Sequence, residues 1–256
     1  MAKPKILVTN DDGVEAPGLR KLIEFMRKLG NVYVVASDRI MSGTGHAITV
    51  RTPLRVRELH KEAGYEEYVC DGTPVDCAKL GIEVVIGHKP DLLVSGINHG
   101  SNASINVIYS GTMAAVLEGC IDDVPSIGFS LLDYSFKAEF NHCEPYVQKI
   151  AGNVLEHGLP TGICLNVNIP AVDGKEIRGI KVCRQAKARW VGKFDARRDP
   201  AKRDYYWLTG HFENKDEGED TDQHALENNF VSVVPVHTDL TAHHAISELN
   251  NWKLNG

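Results

Sequence analysis

The sequence predicts an α/β fold: a Rossmann-like, three-layer α/β/α arrangement around a mostly parallel sheet, with a projecting β-hairpin. Two observations support this fold class. Short apolar runs alternate with amphipathic segments of helical period through the first 130 residues, as in repeated strand–helix–strand units. Three of these runs are each followed by a polar, glycine-rich stretch, which is typical of loops at the carboxyl edge of a parallel sheet.

The first half of the chain supplies the centre of the predicted sheet and its flanking helices. Residues 5–9, 31–36 and 91–95 are short, β-rich apolar runs, typical of strands that are buried on both faces. Residues 16–29 place leucine, isoleucine and methionine on one helical face, and residues 110–120 repeat that pattern. These five elements predict parallel strands with helices packed on both sides.

Two further segments of the first half have weaker patterns. Residues 47–58 alternate between polar and apolar and contain Pro53, so they are predicted to form a projecting hairpin or an edge strand. Thr73 stands before Pro74 and has Asp76 three residues later, which predicts the capped start of another helix.

The second half of the chain predicts more strands and two more helices. Strands are expected at residues 124–130, 163–169 and 230–236, and helices at residues 144–156 and 241–252. The intervening sequence from residue 185 is first basic and aromatic and then acidic, a pattern typical of solvated faces or mobile loops.

The composition argues against several classes of protein. A net charge of -6 is unsuited to general nucleic-acid binding, so no stable nucleic-acid partner is expected. No apolar run approaches the ~18 residues of a membrane span, and the first ten residues do not resemble a secretory signal, so no membrane association is expected. The six cysteines are scattered without metal-binding spacing, which predicts reduced thiols and a cytoplasmic location.

Polar residues follow three of the predicted strands, at residues 10–13, 37–46 and 95–102. Because the carboxyl ends of parallel strands share one edge, these loops are expected to converge. Asp11 and Asp12 in the first loop would repel each other unless a cation lay between them. Oxygen ligands of this kind suit Mg²⁺ or Mn²⁺ and do not suit zinc. The alternative is that Asn-Asp-Asp-Gly is only a turn that caps the next helix.

A second polar feature lies at the start of the helix predicted at residues 110–120. Ser110, Gly111 and Thr112 combine free backbone N–H groups, two hydroxyls and the positive end of the helix dipole, which together make an anion site. The alternative is that Ser110 is a plain N-cap.

Five stretches of sequence carry a resemblance to a known family. They are ILVTNDDGVEAPGL, ASDRIMSGTGHAIT, DGTPVDCAKLG, PDLLVSGINHGSNAS and YSGTMAAVLEG. Together they resemble the SurE family, the stationary-phase survival proteins that act as metal-dependent nucleotidases on 5′- and 3′-nucleoside monophosphates. The matching strings lie almost entirely within residues 5–130, whereas residues 185–225 match weakly.

The resemblance implies a set of site residues. One divalent cation per subunit, Mg²⁺ or Mn²⁺, is expected to be held by Asp11, Asp12, Ser42 and Asn98. Contacts with the substrate phosphate are expected from Asn98, Asn102, Ser110, Gly111 and Thr112.

The function expected on this basis is hydrolysis of nucleoside monophosphates by a metal-activated water, with Asp11 and Asp12 as the catalytic residues. Asp11 is expected to take the proton of the water. An aspartyl-phosphate phosphatase also has an acidic loop after its first strand, but its nucleophile position is here Asn10, which cannot form an acyl phosphate. A nucleotide- or metal-binding sensor without turnover remains the alternative from another class.

The chain is expected to divide functionally near residue 184. Residues 1–184 form the predicted catalytic core, and residues 185–256 form a C-terminal extension for oligomerisation that is not an independent domain. The terminal helix offers an apolar stripe of Ile246, Leu249 and Trp252 that needs a partner surface. A homodimer or tetramer is therefore expected, in which swapped residues from about 230 onward pack on a neighbouring chain, and the resemblance implies the same.

Overall fold

A computed structural model describes residues 3–135, 137–171 and 176–252. Its strands are β1 (Lys5–Thr9), β2 (Asn31–Ser37), β3 (Val56–Glu62), β4 (Tyr65–Cys70), β5 (Leu92–His99), β6 (Ser126–Leu132), β7 (Ile163–Pro170), β8 (Gly179–Val182), β9 (Ala188–Arg198), β10 (Asp204–Asn214) and β11 (Phe230–His237). Its α-helices are α1 (Pro17–Arg27), α2 (Pro74–Leu80), α3 (Asn106–Tyr109), α4 (Gly111–Ile121), α5 (Glu144–His157), α6 (Asp222–Glu227) and α7 (His243–Asn250). A π-helical turn continues α2 over Gly81–Ile86, and a short 3-10 turn at Asn141–Cys143 leads into α5.

Nine strands form one mixed sheet in the order β3-β4-β2-β1-β5-β6-β7-β11-β8. The six consecutive strands from β4 to β7 are parallel, so the predicted α/β class with a mostly parallel sheet is confirmed. Helices α1 and α5 pack on one face of this sheet, and α2 and α4 pack on the other.

The central strands are buried because both of their faces are covered. In β1, Ile6 and Val8 contribute to the core under α1 and α5, whereas Leu7 contributes to the core under α2 and α4. The same alternation holds in β5, where Leu92 and Leu93 are fully buried on opposite faces. Continuous apolar runs in the sequence therefore correspond to strands that have no solvent face.

Most predicted elements lie within a few residues of their expected positions, and the differences have local causes. Helix α1 ends at Arg27 because Lys28 and Gly30 already form the turn into β2. Strand β5 is longer than predicted, since it continues past Ser95 through an irregularity and ends only at His99. The cap at Thr73 is as predicted, because its hydroxyl accepts from Asp76 N while the Asp76 carboxylate accepts from Thr73 N.

The edge of the sheet differs from the prediction for residues 47–58. The edge strand is β3, which begins only at Val56 and pairs in an antiparallel manner with β4. Strand β4 was not predicted; it adds to β2 in parallel. Pro53 lies before β3, where the missing backbone N–H costs no ladder hydrogen bond.

The projecting hairpin of this chain is formed by β9 and β10, which pair in an antiparallel manner over eleven residues each. The sequence from residue 185 was expected to form solvated faces or mobile loops, and no strand was predicted there; the two strands of this hairpin correct that expectation. A charged exterior is compatible with a strand when both faces of a two-stranded ribbon are exposed.

The C-terminal part of the chain also requires a correction. Strand β11 pairs with β7 in an antiparallel manner and with β8 in parallel, within the sheet of its own chain. Val231 and Val233 are buried there, so this strand satisfies its apolar face without a second chain. The expectation that residues from about 230 onward are exchanged is therefore wrong for β11. Helix α7 is different, because none of its residues is buried.

The six cysteines are buried free thiols, as predicted. In the described part of the chain, no helix is long and apolar enough to cross a membrane.

Candidate functional site

The loops that follow β1, β2 and β5 are in contact at the carboxyl edge of the sheet. The backbone N–H of Met41 donates to the carbonyl oxygen of Asp11, at 2.7 Å between N and O. The backbone N–H of His99 donates to Oδ2 of Asp12 at 3.2 Å. Residues that are 87 positions apart thus meet at one point, which confirms the predicted convergence of the three loops.

The amino end of α4 is directed at Asp11. The Thr112 hydroxyl donates to Oδ1 of Asp11 at 2.6 Å, and the backbone N–H of Thr112 also interacts with this carboxylate. A Cβ atom at Gly111 would lie 2.7 Å from the Cβ of Asp11, which is closer than side-chain atoms approach. Glycine is therefore required at position 111 for the helix to reach the carboxylate. The residues predicted to bind phosphate and a residue predicted to bind the cation are thus neighbours.

Two carboxylates are held in this site with little access to water. Burial raises the pKa of Asp11 to about 6, the charge of Asp12 adds to this, and the bonds from Thr112 oppose it. Burial also raises the pKa of Asp12, while the His99 N–H and the Ser42 hydroxyl oppose the rise. Neither carboxylate has a cationic side chain within salt-bridge distance among the described residues. A cation at this position would stabilise both carboxylates in their charged form.

The donor set at this position fits a hard divalent cation. Asp11 and Asp12 supply carboxylate oxygens, and Ser42 lies within hydrogen-bonding reach of Asp12. The Asn98 side chain donates through Nδ2 to the carbonyl oxygen of Gly100 at 2.8 Å, so its amide oxygen is the atom left for a ligand. Within the described ranges there is no cluster of three or more His, Cys, Asp or Glu residues, so the set consists of two carboxylates and neutral oxygens. Such a set suits Mg²⁺ or Mn²⁺.

The raised pKa of Asp11 predicts that the metal-free chain loses stability as the pH rises. Folded Asp11 keeps its proton up to about pH 6, whereas the ordinary value is 3.8. Between these values the folded state binds more protons than the unfolded state, so the free energy of unfolding falls as pH increases. Asp11→Asn removes the buried charge, and we expect it to raise the free energy of unfolding at pH 8 by about 1–2 kcal/mol.

Urea unfolding of both proteins in EDTA measures this effect. The advantage of Asp11→Asn should be largest at pH 8 and should shrink as the pH is lowered through 6 towards 4. A gain of equal size at both ends of this range would contradict the assigned cause.

Ser110 and Asn102, both predicted to contact phosphate, have different surroundings. The Ser110 hydroxyl accepts from Met113 N at 3.0 Å and so caps α4, as the plain N-cap interpretation requires, but its own proton is still available to a ligand. The Asn102 side chain donates to Ser130 Oγ at 2.9 Å, and its backbone N–H donates to Asn168 Oδ1 at 2.8 Å. Among the described residues, the hydrogen bonds of Asn102 lead into the sheet and none leads to Asp11.

Two asparagines that hold Asn102 were missed by the sequence analysis. Asn166 donates through Nδ2 to the carbonyl oxygen of Asn102 at 2.8 Å, and Asn168 donates to Asn166 Oδ1 at 3.0 Å. Both lie in β7 and are buried. The signal was present, because polar residues at alternate positions of an otherwise apolar strand face the same side of a sheet.

Asp222 was missed as well. Its carboxylate is fully buried and accepts from the backbone N–H groups of Ser104, at 2.7 Å, and Ala186, at 3.0 Å. This side chain therefore ties the loop after β5 to the base of the β9–β10 hairpin. Its position inside an acidic stretch of sequence concealed this role, because only the tertiary contact distinguishes it from its exposed neighbours.

Comparison with known proteins gives a consistent result over the full chain. The family model described as "Survival protein SurE" matches residues 6–192. A protein of Flavobacterium psychrophilum named "5'-nucleotidase SurE" is 57% identical over 256 residues, which covers 100% of both chains. A protein of Christiangramia forsetii with the same name is 57% identical over 255 residues, covering 99% of this chain and 98% of the relative. The crystal structure of the SurE protein from Aquifex aeolicus superposes with a TM-score of 0.83 at 38% identity, covering 96% of this chain and 98% of that one.

Proposed function

The chain belongs to the SurE family, and from this membership we infer that it is a 5′-nucleotidase, a phosphatase that releases phosphate from nucleoside monophosphates. The structural observation that carries this function is the contact between Asp11 and the amino end of α4. It brings a pair of carboxylates suited to a divalent cation next to a helix end suited to a phosphate. We propose that 3′-monophosphates are substrates as well.

One divalent cation per subunit, Mg²⁺ or Mn²⁺, completes the proposed site. Asp11, Asp12, Ser42 and Asn98 would hold it. When bound, it supplies an acidified water and positive charge that offsets the charge of the phosphoryl group.

The side chains of this protein have separate parts in the proposed reaction. Asp11 takes the proton of the attacking water at Oδ2, because its Oδ1 already accepts from Thr112. Thr112, Ser110 and the backbone N–H groups that open α4 bind the oxygens of the phosphoryl group. Asn98 and Asn102 are proposed to contact the phosphate from the opposite loop. The phosphoryl group passes directly to the water oxygen as its bond to the nucleoside oxygen breaks, and the proton taken up by Asp11 is balanced by the one that the leaving nucleoside oxygen gains, so no intermediate forms on the protein.

The aspartyl-phosphate alternative is disfavoured by the surroundings of Asn10. This residue is buried, and its Nδ2 donates to the carbonyl oxygen of Gly13 at 2.9 Å, so it serves the turn after β1. An amide cannot act as the nucleophile of an acyl phosphate. The sensor alternative is disfavoured by the enzyme names of the relatives, and it predicts binding of nucleotide without release of phosphate.

Phosphate release from AMP, GMP and ATP in the presence of Mg²⁺ or Mn²⁺ tests the proposed function. We expect kcat/KM for the monophosphates to exceed that for ATP by at least about 10-fold, because the site offers one helix end and no P-loop lysine for further phosphates. Faster hydrolysis of ATP than of AMP would contradict the monophosphate assignment. Binding of AMP without any release of phosphate would support the sensor.

The region beyond residue 184 is proposed to serve oligomerisation, through the β9–β10 hairpin and α7. The register of the hairpin places one set of apolar side chains on a single face. This set consists of Trp190, Phe194, Tyr206, Leu208 and Phe212. Phe194 and Leu208 are 66% and 70% exposed, which is a large unpartnered apolar surface for a two-stranded ribbon.

A second copy of the chain is the proposed partner for this face. The hairpin region at residues 187–215 contains eight Lys or Arg against four Asp or Glu, whereas the whole chain has a net charge of -6. The basic hairpin of one chain is therefore electrostatically complementary to the acidic remainder of a second chain. Helix α7 adds the exposed side chains of Ile246, Leu249 and Trp252. A homodimer or a tetramer therefore buries surfaces that a single chain leaves exposed.

Phe194→Asp combined with Leu208→Asp is expected to convert the assembly to single chains. Two charges in the centre of an apolar interface would leave unpaired, desolvated carboxylates on association. Light scattering should then give the mass of one chain, 28.2 kDa, for the variant and a multiple of it for the natural protein. Lys193→Asp is the matched control, because this residue lies on the opposite face of the hairpin. A natural protein whose measured mass is that of a single chain would contradict the proposal.

The proposed location is the cytoplasm. This proposal is supported by the six thiols, which are free and buried, as expected in a reducing compartment.

A further inference from the structure

Glu118 is a buried carboxylate in the middle of α4 that contacts two other elements of the chain. Its Oε1 accepts from Lys79 Nζ, on α2, at 2.6 Å. Its Oε2 lies 2.8 Å from Nε2 of His46. Only 8% of the Glu118 side chain is exposed, whereas the side chains of His46 and Lys79 are 34% and 42% exposed, so a buried carboxylate meets two partners at the border of the protein interior.

His46 is at the end of the Ser42 loop, which we define as residues 38–46. Ser42, Gly43 and Thr44 at the centre of this loop are exposed, and Thr44 bonds within the loop, to the carbonyl oxygen of Met41. Gly43 and Gly45 adopt left-handed backbone conformations, with φ of 76° and 58°, and glycine has the widest conformational freedom of all residues. The conformation of the loop therefore depends on contacts at its ends.

Three contacts anchor the Ser42 loop to the candidate site. On the amino side of Ser42, Met41 N donates to the carbonyl oxygen of Asp11. On the carboxyl side, Gly45 N donates to the carbonyl oxygen of Tyr109 at 3.2 Å, and the His46 ring binds Glu118. The last contact joins two side chains, and it connects the loop to the same helix whose amino end contacts Asp11.

We propose that the His46–Glu118 pair is a positioning device that fixes the Ser42 loop on α4 and thereby sets Ser42 against Asp12. This inference rests on the proposed function, in which Ser42 and Asp12 bind one divalent cation. Helix α4 then organises the site twice: through its first residues at Asp11, and through Glu118, two turns further along, at the Ser42 loop. In this proposal His46 and Glu118 act as positioning residues, through Ser42 and the loop that carries it.

The direct test is Mn²⁺ binding by the substrate-free protein, measured by electron paramagnetic resonance. His46→Ala is expected to weaken Mn²⁺ binding by about 10-fold, as found for residues that orient metal ligands. His46→Gln, which keeps a nitrogen donor near Glu118, should restore most of the affinity. Amide hydrogen exchange in the Ser42 loop should accelerate in His46→Ala and not in His46→Gln.

Lys79→Ala is the matched control, because it removes the other partner of the same carboxylate and leaves the loop contact in place. It should lower thermal stability at least as much as His46→Ala and leave Mn²⁺ affinity within about 2-fold of the natural protein, since no loop is released. In a Ser42→Ala background, His46→Ala should have no further effect on Mn²⁺ binding, because pairs that act through one group are not additive.

The outcomes separate this inference from the proposed function. If the natural protein binds Mn²⁺ and releases phosphate from AMP but His46→Ala binds Mn²⁺ equally well, the inference is overturned and the function stands. Equal weakening by Lys79→Ala, or an undiminished effect of His46→Ala in the Ser42→Ala background, also overturns it. A natural protein that binds no Mn²⁺ overturns both.

Discussion

Asp12→Asn is expected to lower kcat/KM for AMP by at least about 100-fold, because it removes a charged ligand from the proposed cation site. The amide keeps an oxygen that accepts from His99 N, so the local backbone contact survives. The variant should also have a lower affinity for Mn²⁺. Asp11→Asn should have an effect at least as large, since Asp11 is in addition the proposed acceptor of the proton.

Two controls make this result specific. Asp133→Asn alters a carboxylate that follows β6 at the same edge of the sheet but serves its own turn, through Ser135 N, and should keep full activity. EDTA should abolish the activity of the natural protein, and added Mg²⁺ or Mn²⁺ should restore it. Full activity in the chelator, or an Asp12→Asn protein as active as Asp133→Asn, would refute the cation site.

Termination of the chain after Asn229 is expected to prevent folding. The truncation removes β11, which pairs with β7 on one side and β8 on the other. It also removes the buried side chains of Val231, Val233 and Val234, each worth about 1.5–3 kcal/mol when fully buried. Their sum is comparable with the 5–15 kcal/mol that typically separates folded from unfolded domains.

Termination after Thr238 is the contrasting variant, because it keeps β11 and removes α7, of which no residue is buried. This shorter chain should fold, with a cooperative thermal transition by circular dichroism, and should differ from the natural protein in oligomeric state. The chain that ends at Asn229 should show no such transition. A folded, monomeric protein that ends at Asn229 would instead support exchange of β11 between chains.

Apart from the edge formed by β3 and β4, the fold of the first 170 residues was accessible from sequence because the physical signal there is local. A strand such as β1 is apolar at its three central positions, since both of its faces are covered, and α1 has an apolar stripe of helical period. The β9–β10 hairpin was missed although Trp190 and Phe194 alternate with Arg189 and Lys193. The basic residues dominated the pattern, whereas the alternation was the better indicator of a strand.

The residues of the candidate site also differ in whether a local sequence signal reveals them. The carboxylates and the helix end were found because each is a short motif at the end of a predicted strand or the start of a predicted helix. Glu118 and Asp222 were not found, because each appears in the sequence as an ordinary acidic residue. Their roles arise only from partners that the fold brings close: His46 and Lys79 for Glu118, and Ser104 and Ala186 for Asp222.

The place of β11 between β7 and β8 has a consequence for how the chain is made. On the ribosome, β7 emerges about 60 residues before the strand that covers its free edge, so at typical synthesis rates the nascent chain carries an unpaired edge for about 3 to 12 s. An exposed edge of this kind is a template for association with other chains. Asp222, which holds the loop after β5, also arrives in this late segment. The nascent protein therefore covers the edge of β7 and anchors the loop after β5 in the same final stage of translation.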